Sequence, residues 1–148
     1  VTTISLAVTI PAPLDEVWEE LRHIDRHTTW MNDAVALTFL SEQREGVGTS
    51  FRCKTKVGPF VTDDIMRITT WVDQREMGVR HEGLITGEGA FVLEGHDGAT
   101  TLRWTETLVF PWWAGAGLGA WFAAPILRVI WKKNLANFAA PWGHISPK

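Results

Sequence analysis

Three ionisable residues stand in apolar company at alternate positions: Asp64 among Phe60, Thr62, Met66 and Ile68; His81 after Met77 and Val79; and Glu106 among Leu102, Trp104, Leu108 and Phe110. Alternate residues of a β-strand share a face, so the apolar members of each series draw the ionisable one inward. A buried carboxylate near a histidine has the environment that shifts pKa values, and the chemistry open to such a set is proton transfer. His81 would take a proton alpha to a carbonyl, and Glu106 or Asp64 would hold or return it. The same residues equally suit a structural ion pair, or the few polar groups that orient one end of a ligand in an apolar pocket. The sequence leaves the three roles open. No metal is expected, because His81 has no second histidine at close spacing, and no cofactor is expected.

Other reactive side chains have plainer readings. Phe51, Cys53, Thr55 and Val57 alternate with Arg52, Lys54 and Lys56, so Cys53 points inward as a small core residue with no base or cation on its own face. As the single cysteine it forms no intramolecular disulfide, which suits a reducing compartment, and the expected location is cytoplasmic. His23 and His27 read as solvated, and Asn32 and Asp33 as residues of a pocket mouth.

The elements that must position these residues follow from period and punctuation. Ile4, Leu6, Val8 and Ile10 alternate with polar or small residues as a first strand, which Pro11-Ala12-Pro13 stops. Leu14, Val17, Trp18 and Leu21 then recur at helical spacing, and Asp25 reads as the N-cap of a second short turn of helix ending near Trp30. Turn signals divide the next stretch into six strands near 35–41, 49–57, 60–71, 76–82, 86–94 and 100–110, with short connections that make neighbours antiparallel.

No charged side chain lies between Thr107 and Leu127. Pro111 and the glycines 115, 117 and 119 nevertheless divide that run into strand end, glycine-rich loop and helix, so no stable membrane insertion is expected. The helix is predicted to start near Leu118, with Pro125 demanding a kink or a later start near Ala123. On its wheel Ala123, Leu127, Ile130, Trp131 and Phe138 share one face, Arg128, Lys132 and Lys133 lie largely opposite, and Asn134 falls inside the apolar face, where its amide must find partners. Phe110, Trp112, Trp113, Trp121 and Phe122 around the glycines read as closing one end of a cavity. Whether the 111–119 loop is a gate or touches membranes stays open.

A formal charge of −3 with scattered Lys and Arg gives no footprint for phosphate backbones, so no nucleic acid is expected. Nine tryptophans and seven phenylalanines without a tyrosine suit the binding of something apolar better than tyrosine chemistry. No basic stretch precedes an apolar one at the start, so nothing reads as a signal peptide. The 148 residues suit one domain, 1–148, of α+β class: a seven-stranded curved antiparallel sheet wrapped around a long C-terminal helix, with two short helices after the first strand.

This order of elements, the Pro11-Ala12-Pro13-x-x-x-Val17-Trp18 entry to the first helix, Trp30, the Gly46-Val47-Gly48-Thr49 turn and Trp71 at a strand end resemble the START-like (SRPBCC) superfamily, in particular its polyketide cyclase/dehydrase branch. The resemblance implies a helix-grip fold around a ligand cavity. Members include lipid and hormone binders as well as aromatases and cyclases, and some catalytic members use tyrosine, which this chain lacks. The expected function is binding of a small hydrophobic ligand, aromatic, polyketide-like or acyl, between sheet and helix. Asn134, Trp104, Phe51, Met66, Phe91, Leu127, Ile130 and Trp131 are its predicted contacts. The alternative is a cyclase or dehydratase in which His81, Glu106 and Asp64 are catalytic. Oligomeric state is open.

Overall fold

The computed structural model describes residues 1–110 and 116–143, with side chains throughout except over 116–122. The elements are β1 (Thr2–Ile10), α1 (Leu14–Leu21), a 3-10 helix (Ile24–Thr29), β2 (Ala34–Phe39), β3 (Ser50–Val57), β4 (Phe60–Val72), β5 (Glu76–Glu82), β6 (Thr86–His96), β7 (Ala99–Val109), α2 (Ala116–Ala139) and a last 3-10 turn (Ala140–Trp142). The strands form one antiparallel sheet in the order β1-β7-β6-β5-β4-β3-β2, curved against α2 in a helix-grip arrangement. Sheet and helix each have an apolar face, and covering one with the other buries both. At the β6–β7 hairpin Asp97 and Gly98 both take positive φ, 50° and 78°, as a two-residue turn matched to strand twist requires.

The inward alternation is realised in Ile4, Val8, Ile68, Met77, Phe91, Leu93, Leu102, Trp104 and Leu108, all buried. β4 departs from it at both ends. Phe60, predicted inward, is 74% exposed, because it lies at the tip of the β3–β4 hairpin, beyond what the rest of the chain covers. Between Ile68 and Thr70 the register shifts by a bulge, which reverses the parity and turns Trp71 to the side of its partner Met77. Trp71 there meets Trp18 of α1 edge-on at 5.3 Å.

α2 starts at Ala116, before the predicted Leu118, and contains Gly117, Gly119 and Pro125. Pro125 has no N–H for an intrahelical hydrogen bond, yet the helix continues through it. Residues 111–115, and the side chains of Trp121 and Phe122, are outside the described set, so the predicted gate falls mostly there. No helix among the described residues is long and apolar enough to cross a membrane.

Two expectations near α1 are corrected. The 3-10 helix has His23 at its cap position and no side-chain cap bond, so Asp25 is not an N-cap. The segment is held instead by burial of Ile24 and His27. His27, predicted solvated, is 6% exposed: its Nε2–H donates to the Leu21 carbonyl at 2.7 Å, and its ring packs against Trp30 and Phe91.

Burial lowers the His27 pKa to about 4, although the Leu21 carbonyl favours the charged ring. The unfolded chain, with an ordinary histidine, binds the extra proton first. This group's contribution is therefore complete above about pH 6.5 and is lost as pH falls towards 4, by about 3 kcal/mol in total. Urea unfolding between pH 7 and 4 should show that slope in the wild type and a flatter one in His27→Gln; equal slopes would contradict it.

Candidate functional site

His81 lies on β5 and Glu106 on β7, and β6 runs between them. Along that row His81 pairs with Gly87, and Glu106 pairs with Gly89. Neither glycine carries a side chain, so Glu106 can reach across β6, and His81 Nε2–H donates to its Oε2 at 2.7 Å. A Cβ at Gly89 would overlap the Glu106 carboxylate, and one at Gly87, where φ is 142°, would run into the Thr107 carbonyl oxygen. The other Glu106 oxygen, Oε1, accepts from Trp104 Nε1–H at 3.0 Å. Glu106 is 4% exposed, so these two charge-assisted or polar contacts are what make its burial tolerable.

Burial pulls the His81 pKa down, but the Glu106 hydrogen bond and charge, helped by the charge of Asp64, outweigh it and leave the ring above its ordinary value. The pair thus favours the charged ring, held through Nε2; its Nδ1 has no hydrogen-bond partner among the described residues. Asp64 on β4 pairs with Cys53 of β3 and is 8% exposed. Its Oδ2 accepts from the Thr62 hydroxyl at 3.1 Å, while Oδ1, packed on Gly83, has no partner among the described residues. Burial pushes the Cys53 thiol up to about 11, so it is neutral and unreactive.

The predicted ligand contacts fall into two groups. Trp104, Phe91 and Trp131 pack on one another: Trp104 stacks on Trp131 at 5.0 Å and tilts against Phe91 at 5.1 Å, and Trp30 joins them through Phe91 and Phe138. Phe51 is buried, whereas Met66, Leu127 and Ile130 are only partly covered. Asn134 is fully buried but faces the loop before β2. Its Nδ2 donates to Asp33 Oδ1 at 2.7 Å, and its Oδ1 accepts the Asn32 backbone N–H at 2.9 Å. Asp33 Oδ2 also accepts Trp131 Nε1–H at 3.1 Å. Asn134 and Asp33 therefore latch α2 to the loop.

His81, Glu106 and Trp104 are brought into one hydrogen-bonded set, with Asp64 near enough for its charge to act on His81. What the sequence reading missed are Gly83, Gly87 and Gly89, which make room for the two carboxylates. The signal was present as glycines inside a strand pattern, Thr86-Gly87-Glu88-Gly89. A groove of about 510 Å³ opens beside the β5–β6 hairpin and reaches His81 between Gly83, Thr86 and Gly87. A larger one of about 870 Å³, around Trp18, Arg22 and Trp71, holds none of the predicted site residues. Among the described residues no group of three or more His, Cys, Asp or Glu is placed to hold a metal ion.

No protein-family model matches the chain, and no curated protein does. Solved structures do. The protein TTHA0849 of Thermus thermophilus is 16% identical, with a TM-score of 0.79 over 93% of this chain and 94% of that one. The Zhui aromatase/cyclase of a Streptomyces species is 19% identical, with a TM-score of 0.66 over 92% of this chain and 87% of that one. The di-domain ARO/CYC StfQ of the steffimycin biosynthetic pathway is 12% identical, with a TM-score of 0.76 over 93% of this chain and 49% of that one. These are START-like (SRPBCC-type) folds, and at such identities the likeness establishes the fold alone.

Two outcomes follow from the geometry. In Glu106→Gln and Gly89→Ala the His81 pKa, read by NMR titration of its ring protons, should fall below the wild-type value, because burial then acts with less opposition; an unmoved midpoint would remove Glu106 as the cause. Asn134→Ala should cost about 2–3 kcal/mol in chemical unfolding, since it strands the Asn32 N–H and one Asp33 oxygen.

Proposed function

We propose that the protein binds a small, largely apolar ligand, aromatic, polyketide-like or acyl in skeleton, between the inner sheet face and α2, with the ligand's polar end at His81, Glu106 and Asp64. The carrying observation is a contrast across one surface. Around Trp104, Phe91 and Trp131 the aromatic rings fill the interface with one another. Beside the His81–Glu106 pair, Met66, which stands opposite His81, and Val79, two residues before it on the same strand face, are only partly buried, and so are Leu127 and Ile130 of α2. Apolar side chains left partly uncovered about a buried charged pair are what a ligand would cover, and pockets of this kind place a few polar groups among apolar walls. A buried pair of this kind adds little net stability in general, which makes a role in recognition the better account of it.

A second reading is acid–base catalysis of the cyclase or dehydratase type, favoured by the raised pKa of His81. An imidazole held through Nε2 by Glu106 has its Nδ1 side left for a substrate, and a raised pKa shifts its balance towards giving a proton to a carbonyl or departing hydroxyl. Two of the similar structures are described as aromatase/cyclases, and a third neighbour is Ara h 8.0201, so the fold accommodates more than one use.

Native mass spectrometry of the purified protein, followed by a panel of apolar aromatic and acyl compounds, identifies a ligand through a raised melting temperature and quenched tryptophan fluorescence. For a binder, His81→Ala should weaken a polar-ended ligand by about 1–3 kcal/mol and spare its apolar analogue. For an enzyme, His81→Ala or Glu106→Gln should lower turnover roughly 10²–10⁴-fold while binding largely survives. A broad panel with neither stabilisation nor quenching would sink the binding reading.

A further inference from the structure

The polar inventory of the inner face narrows the chemistry of the ligand's polar end. Among the described residues on that face there are two carboxylates, Asp64 and Glu106, and one basic group, the His81 imidazole. The basic residues of the neighbouring strands point outward: Arg52, Lys54, Lys56, Arg67 and Arg80 are exposed, and Arg67 is held by Glu82 at 3.1 Å. On α2, Arg128, Lys132 and Lys133 are exposed as well. Each Glu106 oxygen already receives a donor, from His81 and from Trp104. Asp64 is different, since it is over nine-tenths buried and its Oδ1 receives none. Gly83 packs directly against that oxygen, so that residue has no side chain with which to supply the donor.

We propose that the polar end of the ligand is a neutral hydroxyl, of a phenol or an alcohol, that donates its hydrogen to Asp64, and that the site discriminates against carboxylate-ended compounds; the proposal rests on the binding reading above. A buried acceptor without a donor is a standing cost that a ligand hydroxyl removes on binding. The terminal torsion of an aspartate is soft, so a small rotation turns an oxygen away from Gly83 and towards a ligand on the inner face. A ligand carboxylate has no hydrogen to offer and brings a third carboxylate to a face that already holds two beside a single imidazole. An ammonium satisfies the charge but must shed its hydration among Phe51, Met66 and Leu127.

The test uses one ring system with three ends, 2-naphthol, 2-methylnaphthalene and 2-naphthoate, titrated calorimetrically into the full chain at neutral pH. The expected order is naphthol about tenfold tighter than methylnaphthalene, the worth of one buried hydrogen bond, with naphthoate the weakest. Asp64→Leu should erase the naphthol preference and leave methylnaphthalene unchanged. Asp64→Asn, which keeps the shape and an acceptor while removing the charge, should retain the naphthol preference and bring naphthoate up towards methylnaphthalene; it also serves if the leucine variant fails to fold. Methylnaphthalene binding as tightly as naphthol, or naphthoate binding best, overturns this inference and leaves the binding reading intact. Failure of all three, together with the wider apolar panel, overturns the binding reading itself.

Discussion

A carboxylate at 4% exposure imposes conditions on everything around it. Glu106 needs two donors within reach, and it takes them from Trp104 on its own strand and from His81 two strands away. The first contact orients the indole that stacks on Trp131 and so couples the charge to the helix–sheet interface. The second is possible only because β6 offers Gly87 and Gly89 where any other strand would present side chains. A strand loses conformational order and packing area at each interior glycine. Two in succession on one face, at the one place where a long acidic side chain must cross, trade sheet stability for a particular side-chain encounter.

The long helix is positioned by a different polar device. Asn134 and Trp131, on consecutive faces of one turn, both bond Asp33, and Asn134 also receives the Asn32 N–H. Buried amides cannot slide to another register without stranding donors and acceptors, so the latch sets the helix against the loop before β2 more specifically than apolar packing would. It also divides the inner space. Next to the latch Trp30, Phe91, Trp104, Trp131 and Phe138 interlock, whereas Met66 and Val79, the apolar neighbours of His81, stay partly uncovered.

Membership of a fold with many uses leaves chemistry to the site, and this site differs from a tyrosine-based one because the chain has no tyrosine. What it has instead is an imidazole tied to a glutamate, with its charged form favoured, and an aspartate oxygen with no donor among the described residues. Those groups are poor company for an anion and good company for a donor. Cys53, beside Asp64, is held neutral by its burial and adds a small apolar wall.

The sequence by itself determined the architecture and the cast of the site. Alternation marked the first strand and turn signals divided the other six, and in three of these the alternation singled out Asp64, His81 and Glu106 as inward, because the strand period is rigid and each apolar series holds one ionisable residue. Local pattern failed where a partner distant in sequence decided the outcome. The bulge after Ile68 reversed the end of β4, exposure of the hairpin tip left Phe60 in solvent, and α2 runs through two glycines and a proline that local propensity alone would place at its start or outside it. His27 looked like a surface residue until Trp30, Phe91 and the Leu21 carbonyl closed over it. Which inward groups touch was likewise a tertiary matter. Asn134 answers to Asn32 and Asp33 about a hundred residues earlier, and Glu106 meets His81 across an intervening strand, since register between strands, which no single strand encodes, sets which side chains stand opposite one another.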